Sequence, residues 1–225
     1  MVTREGWAGA RDFFLAFKEG CQNAGKKETF QRLSNWAQNN GEEALARVAG
    51  KFAGSAEAAE VDFNRMCIGP GKLTVPPYES VWRTHTRILN NRYSAAVLHS
   101  YAEVGLALDP RFNEMADFFG NELEFLYYLA SLLQAHEKAG HTEVCEALAE
   151  AANRFWAEHL GHWAHDFLLA LAQDAQEAVW KEWARVLDRK LSSLFEGVSL
   201  SQDMTGMEKT IAVPSANSRN CYANH

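Results

Sequence analysis

Three residues late in the chain have the types and spacing of a metal site. His159, His162 and Asp166 stand at i, i+3 and i+7, so an unbroken helix would present two imidazoles and one carboxylate to a single ion. Gly161 lies between the histidines, however, and glycine weakens a helix interior. The alternative, which we favour, is that they are partly exposed polar residues beside an apolar core face. We therefore predict no metal and no cofactor, and keep the metal-binding helical bundle as an alternative.

A lysine after a glycine offers a second candidate, a phosphate-binding loop. Gly71-Lys72 is followed by Leu73, and no glycine stands five residues before Gly71. The pattern G-x-x-x-x-G-K-[ST] is therefore not met. With no apparent pairing of a nucleophile and a general base, we predict no catalytic residue and no enzymatic activity.

A polar, acidic ridge is the most informative pattern. Asp117, Asn121, Glu124 and Tyr128 follow i, i+4, i+7 and i+11, which places them along one side of a helix. The opposite side is apolar and carries Met115, Phe119, Leu126 and Leu133. Such a ridge could receive an arginine-bearing peptide, because guanidinium groups favour carboxylates. The alternative is an ordinary solvated helix face.

Glu122 differs from the ridge because it falls near the middle of the apolar side. Burying an unpaired carboxylate is costly, so this side chain needs a buried hydrogen-bonding or ionic partner. We predict a structural role for Glu122.

The elements that position these residues are helices. Apolar periodicity and turn residues predict helices over about 4–19 ending at Gly20, Glu28–Gln38, Glu42–Val48, Ala56–Met66, a stretch after Pro77, Tyr93–Leu106, about Phe112–Ala139, Thr142–Leu171 with or without a break at Gly161, and Gln176–Phe195 capped by Gly197. Prolines and glycines interrupt them at Gly69-Pro70-Gly71 and Pro76-Pro77, which predicts an ordered loop. No strand-like alternation is visible. We predict an all-α, single-domain bundle of about ten helices over 1–197 and a polar, flexible tail over 198–225.

Composition narrows the classes of partner. The formal net charge of −7 and pI of about 5.6 argue against nucleic acid and favour a cationic partner. With neither an amino-terminal signal pattern nor an apolar run of bilayer length, we expect a cytoplasmic protein without stable membrane insertion. The cysteines are scattered without C-x-x-C spacing and are expected to be reduced: Cys21, Cys67, Cys145 and Cys221.

Several segments in the same order resemble the TorD/DmsD family of redox-enzyme maturation chaperones, over roughly residues 5–197. The segment 62–71 (DFNRMCIGPG) followed by 76–82 (PPYESVW) is similar to the family's "RLFVGPG…PPYESV" loop. After Tyr101–Gly105, the run from Phe112 leads to 122–125 (ELEF), where the family has "PDH" and then "ELEF". A third, weaker match, to "F…HL..W…F", is carried by Phe155, His159-Leu160, Trp163 and Phe167.

One part of the resemblance departs from the family pattern. Asp117 matches the aspartate of "PDH", whereas Ala116 and Phe118 stand where the family has proline and histidine. Hydrogen bonding by that histidine is therefore not carried over to this chain.

The resemblance implies a chaperone that binds the twin-arginine signal peptide and the apo form of a molybdopterin oxidoreductase of the dimethyl sulfoxide or trimethylamine oxide reductase type. It would assist cofactor insertion and delay export, as a monomer or dimer, with the Tat translocase or cofactor-biosynthesis proteins as further partners. We predict that the loop and the ridge border one groove whose peptide-binding residues are Tyr78, Glu79, Trp82, Gly105, Asp117, Phe118, Asn121, Glu124 and Tyr128. The structural residues of the motif are Gly69, Pro70, Gly71, Pro76, Pro77 and Glu122. A helical scaffold that binds a folded partner through an apolar patch is the other alternative.

Overall fold

Helices form nearly all of the regular structure. The computed structural model describes residues 4–7, 9–86, 88–108 and 114–202. Their α-helices are α1 (Arg4–Trp7), α2 (Ala10–Gln22), α3 (Lys27–Asn39), α4 (Glu43–Gly50), α5 (Glu57–Phe63), α6 (Glu79–Thr84), α7 (Arg92–Glu103), α8 (Phe119–Lys138), α9 (Thr142–Glu158), α10 (Ala164–Asp174) and α11 (Ala178–Leu194). A π-helical turn over Asn64–Ile68 extends α5, and a 3₁₀ turn over Leu160–His162 follows α9.

The all-α prediction is confirmed. The β pairing within the described residues is limited to an isolated bridge between Tyr78 and Phe118. No described helix has the length and apolar character needed to cross a membrane. The predicted tail cannot be compared beyond residue 202, because 203–225 lie outside the described residues.

Helix α8 lies at the centre of the bundle and packs against α2 and α9, while α10 packs against α11. The prediction that the first helix ends at Gly20 is wrong, since α2 continues to Gln22. A Cβ on Gly20 would lie 2.7 Å from Nε1 of Trp183. This glycine therefore permits close packing against α11 and does not end the helix.

The prediction that the central helix begins near Phe112 is also wrong, because α8 begins at Phe119. The backbone of Phe118 is extended and pairs with the loop before α6. The amide of Phe119 donates to the carbonyl of Pro77 at 2.9 Å, and the amide of Glu79 donates to the carbonyl of Asp117 at 3.0 Å. This pairing joins the loop to the first turn of α8. Residues 109–113 lie outside the described residues.

A buried aspartate holds the other end of the Gly/Pro loop. Oδ2 of Asp62 accepts the amides of Gln176 and Glu177 at 2.9 and 2.7 Å, at the start of α11. Its Oδ1 accepts from Arg65, which also bonds Asp174. The loop thus follows a helix that is bonded directly to the residues that begin α11.

The interruption at Gly161 is real. Helix α9 ends at Glu158, and a Cβ on Gly161 would lie 2.7 Å from the carbonyl oxygen of Trp156. His159 precedes the 3₁₀ turn and His162 is its last residue, whereas Asp166 lies in α10, so the three do not share an α-helical face.

Candidate functional site

A surface pocket of about 330 Å³ lies between α8 and the segment that follows α7. Its lining residues are Tyr101, Leu106, Ala107, Leu108, Asn121, Glu124, Phe125 and Tyr128. Three of these belong to the predicted peptide-binding set: Asn121, Glu124 and Tyr128. The pocket walls are mostly apolar, so it can hold an apolar side chain beside a carboxylate.

Buried aromatic rings form the inner wall of this pocket. The rings of Tyr101 and Phe125 lie 4.8 Å apart, and the hydroxyl of Tyr101 donates to the carbonyl of Ala116 at 2.9 Å. Burial and, secondarily, nearby carboxylates such as Glu122 hold the pKa of Tyr101 well above its ordinary value. Its hydroxyl therefore remains a neutral hydrogen-bond donor.

Gly105 places the outer wall of the pocket. Its φ of +79° lies in the left-handed region, and it follows the end of α7. A Cβ at this position would meet nothing within 4 Å. Glycine is therefore favoured here by the backbone conformation and not by the close approach of another group. The turn leads directly into the wall residues Leu106 and Leu108.

Glu124 is the charged residue of the pocket lining, and its side chain is 49% exposed. Its two carboxylate oxygens are engaged separately. Nζ of Lys18 lies 3.1 Å from Oε1, and Nε2 of Gln22 donates to Oε2 at 2.8 Å. The charge of Glu124 is therefore already paired with a cation from α2.

A second carboxylate lies near the start of α8. The hydroxyl of Tyr78 donates to Oε2 of Glu114 at 2.8 Å, and the rings of Tyr78 and Phe118 lie 5.9 Å apart. Burial and then the bond to Glu114 raise the pKa of Tyr78 well above its ordinary value. The hydrogen bond to Glu114 therefore comes from a neutral donor.

The ridge is not the uniformly solvated helix face of the alternative interpretation. Asp117 is fully buried and precedes α8, and its Oδ2 accepts the amide of Ser80 at 2.9 Å. Asn121 is 8% exposed, and its amide nitrogen donates to the carbonyl of Met115 at 2.8 Å. These two residues position the backbone, while Glu124 and Tyr128 lie nearer the surface.

Glu79 lies beneath the loop in a buried polar network. One of its oxygens pairs with Arg83 at 2.7 Å, and the other lies 3.2 Å from Nδ1 of His159. Nε2 of His159 lies 3.0 Å from the hydroxyl of Ser100. The buried His159 side chain, at the end of α9, thus contacts α6 through Glu79 and α7 through Ser100. The metal-binding alternative is not supported, because His159, His162 and Asp166 do not lie on one helix face. The described residues contain no cluster of three or more groups able to hold a metal ion.

Glu122 has the buried donor that the sequence predicted. Nε1 of Trp163 donates to its Oε2 at 3.3 Å, while Oε1 has no hydrogen-bond partner among the described residues. Desolvation, followed by the negative charges of Glu79 and Asp117, holds the pKa of Glu122 well above its ordinary value. The carboxyl is therefore stabilised in its neutral form.

The remaining predicted residues support the site from outside the pocket. Nε1 of Trp82 donates to the carbonyl of Pro76 at 2.7 Å, and its ring packs edge-on against Phe167. Gly69 and Gly71 have φ of +106° and +121°, which few other residues adopt. The Gly69–Pro70 peptide bond is cis.

Sequence reasoning did not select some of the residues that shape the site. They are Lys18, Gln22, Tyr101, Leu106, Ala107, Leu108, Glu114 and Phe125. Of these, Tyr101, Glu114 and Phe125 lie within the segments that resemble the family motifs. Lys18 and Gln22 reach Glu124 from α2, more than 100 positions away, and no local pattern connects them.

The described residues form an all-helical bundle in which the Gly/Pro loop pairs with the start of α8, and the pocket beside α8 combines mostly apolar walls with one carboxylate. Residues 27–169 match the family described as nitrate reductase delta subunit. The chain therefore belongs to that family, and the predicted relationship to the TorD/DmsD maturation chaperones is confirmed.

Similar proteins carry related descriptions. The chain is 32% identical over 140 residues to proteins named Tat proofreading chaperone DmsD from Salmonella typhimurium and Salmonella typhi. In the Salmonella typhimurium alignment, that region covers 60% of this chain and 65% of the relative, so it spans slightly less than two thirds of that protein. A crystal structure described as a redox enzyme maturation protein from Archaeoglobus fulgidus matches with a TM-score of 0.56 at 17% identity, over 83% of this chain and 93% of the other. This likeness shows the shared fold.

Proposed function

We propose that this protein is a cytoplasmic, non-catalytic chaperone that binds the twin-arginine signal peptide of a molybdopterin oxidoreductase. It holds the apo form, assists cofactor insertion and delays export through the Tat translocase. The observation that carries the proposal is the mostly apolar pocket whose lining includes Glu124. A twin-arginine leader combines adjacent cations with an apolar stretch, so its receptor needs both kinds of surface.

Two carboxylates each bind one arginine of the leader in this proposal. Glu114 accepts from the neutral hydroxyl of Tyr78, and we assign one guanidinium group of the leader to this carboxylate. Glu124 receives another at the pocket. Asp117 and Glu79 are buried, and we assign them to positioning the Tyr78 loop against α8.

The test is titration of a fluorescent twin-arginine leader peptide against wild type, Glu114→Gln and Glu124→Gln. Losing an exposed charged contact is expected to weaken binding by about two- to fivefold in each variant, because such pairs contribute up to about 1 kcal/mol. The matched control is Glu146→Gln, the same change at an exposed position of α9.

Equal affinities of wild type and both site variants would show that the assigned carboxylates do not meet the peptide. Failure of the wild type to bind any twin-arginine leader would overturn the proposed function itself. Capture of a molybdoenzyme precursor by the full chain, lost when the precursor's leader is removed, would support the wider role.

A further inference from the structure

Lys18 is a buried lysine held at the edge of the pocket. It lies in the second half of α2, and its side chain is only 10% exposed. Its ammonium group lies 3.1 Å from Oε1 of Glu124 and 3.2 Å from the side-chain oxygen of Gln22. The same group lies 5.3 Å from the centre of the Tyr127 ring, within range of a cation–π contact. Three partners thus fix a cation at a carboxylate of the candidate site.

We infer that Lys18 is an internal competitor that occupies Glu124 and lowers the affinity of the pocket for the cationic groups of a bound peptide. The inference rests on the proposed function. A peptide cation that approaches Glu124 must share or displace the ammonium group already present. An incoming lysine would exchange one ammonium contact for another and gain little.

An incoming arginine gains more at the same position. A guanidinium group offers two parallel N–H donors to the two oxygens of a carboxylate, which one ammonium group cannot reproduce. Gln22 holds Oε2 as a neutral donor, so that oxygen can be released without separating charges. The Glu124 side chain is about half exposed, and partly exposed pairs are weak enough to exchange.

The experiment compares wild type and Lys18→Met with three versions of one leader peptide: two arginines, two lysines, or two glutamines at the paired positions. Methionine retains the apolar stem of Lys18 while removing its charge. The arginine peptide is expected to bind the variant about two- to fivefold more tightly. The lysine peptide is expected to gain at most as much as the arginine peptide, because the displaced contact is the same for both cations, while the glutamine peptide is unchanged.

Two controls separate this mechanism from a change in net charge. Lys138→Met removes an exposed lysine at the end of α8 and is expected to leave all affinities unchanged. In the double variant Lys18→Met/Glu124→Gln, the gain for the cationic peptides should disappear. Lys18→Gln replaces the methionine variant if thermal unfolding shows that methionine is not tolerated.

Unchanged or weaker binding of the arginine peptide by the folded variant would overturn the inference while leaving the proposed function standing. If neither wild type nor the variant bound any leader peptide, the proposed function and this inference would fall together.

Discussion

Carboxyl groups that lie close together in the sequence have different roles in this protein. Glu124 lies at the surface and pairs with the buried Lys18, Asp117 accepts a backbone amide from the first turn of α6, and Glu122 is buried with Trp163 as its donor. Each environment follows from depth and partners, because the dielectric and the available donors change over a few ångströms. Charge alone therefore does not identify the peptide-contacting residues.

We predict that Glu122→Gln becomes more stable relative to wild type as the pH rises. The folded pKa of Glu122 lies well above its ordinary value of 4.5, so folding favours the protonated form. The folded state binds more protons than the unfolded state between those pKa values, and the free energy of unfolding of wild type falls as pH rises through that window. Glutamine is neutral and its oxygen can still accept from Trp163.

Chemical denaturation at a series of pH values above 4.5 measures this difference. The exposed change Glu146→Gln is expected to give a flat difference over the same range. If the difference in free energy of unfolding between Glu122→Gln and wild type also did not change with pH, the conclusion that Glu122 is neutral in the folded state would be wrong.

At the level of elements, side-chain bonds to backbone amides decide where loops and helices meet. Asp62 ties the end of α5 to the start of α11, and Asp117 ties the first turn of α6 to the start of α8. The Gly/Pro loop between them is thus fixed at both ends. These two aspartates therefore help to hold the Gly/Pro loop in place beside α8.

We predict that Asp62→Asn lowers the free energy of unfolding by about 1.5–3 kcal/mol, the range for buried hydrogen bonds to charged groups. Both oxygens of Asp62 accept from donors, Arg65 on one side and two backbone amides on the other. An amide NH₂ group must therefore face a donor on whichever side it lies. Urea denaturation measures the loss, and Asp166→Asn, at an exposed position of α10, should stay within about 0.5 kcal/mol of wild type. Equal stability of the two variants would contradict this account of the α5–α11 connection.

For the whole molecule, the net charge of −7 adds a long-range attraction for a cationic leader. This charge is a property of the whole chain, whereas the proposed leader site occupies one side of α8. In the proposed function, the field of the chain and the local carboxylates act together on the leader peptide.

We predict that the dissociation constant for the arginine leader rises as salt is increased from low to physiological ionic strength, because the Debye length shortens to about 8 Å. The leader with glutamines at both arginine positions should show a much smaller change. Fluorescence titration at several salt concentrations measures both. Equal salt dependence of the two peptides would remove the electrostatic part of the proposal.

The sequence by itself determined the all-α class, the ordered Gly/Pro loop and the family, because apolar periodicity, turn residues and contiguous motifs are local features. It also predicted a buried donor for Glu122 from its place on an apolar helix side. Only the tertiary structure decided that α8 begins at Phe119, that Gly20 permits packing against Trp183, and that Lys18 occupies Glu124. The physical reason is that each of these features depends on groups far apart in the chain, whose proximity is created by packing and has no local signature.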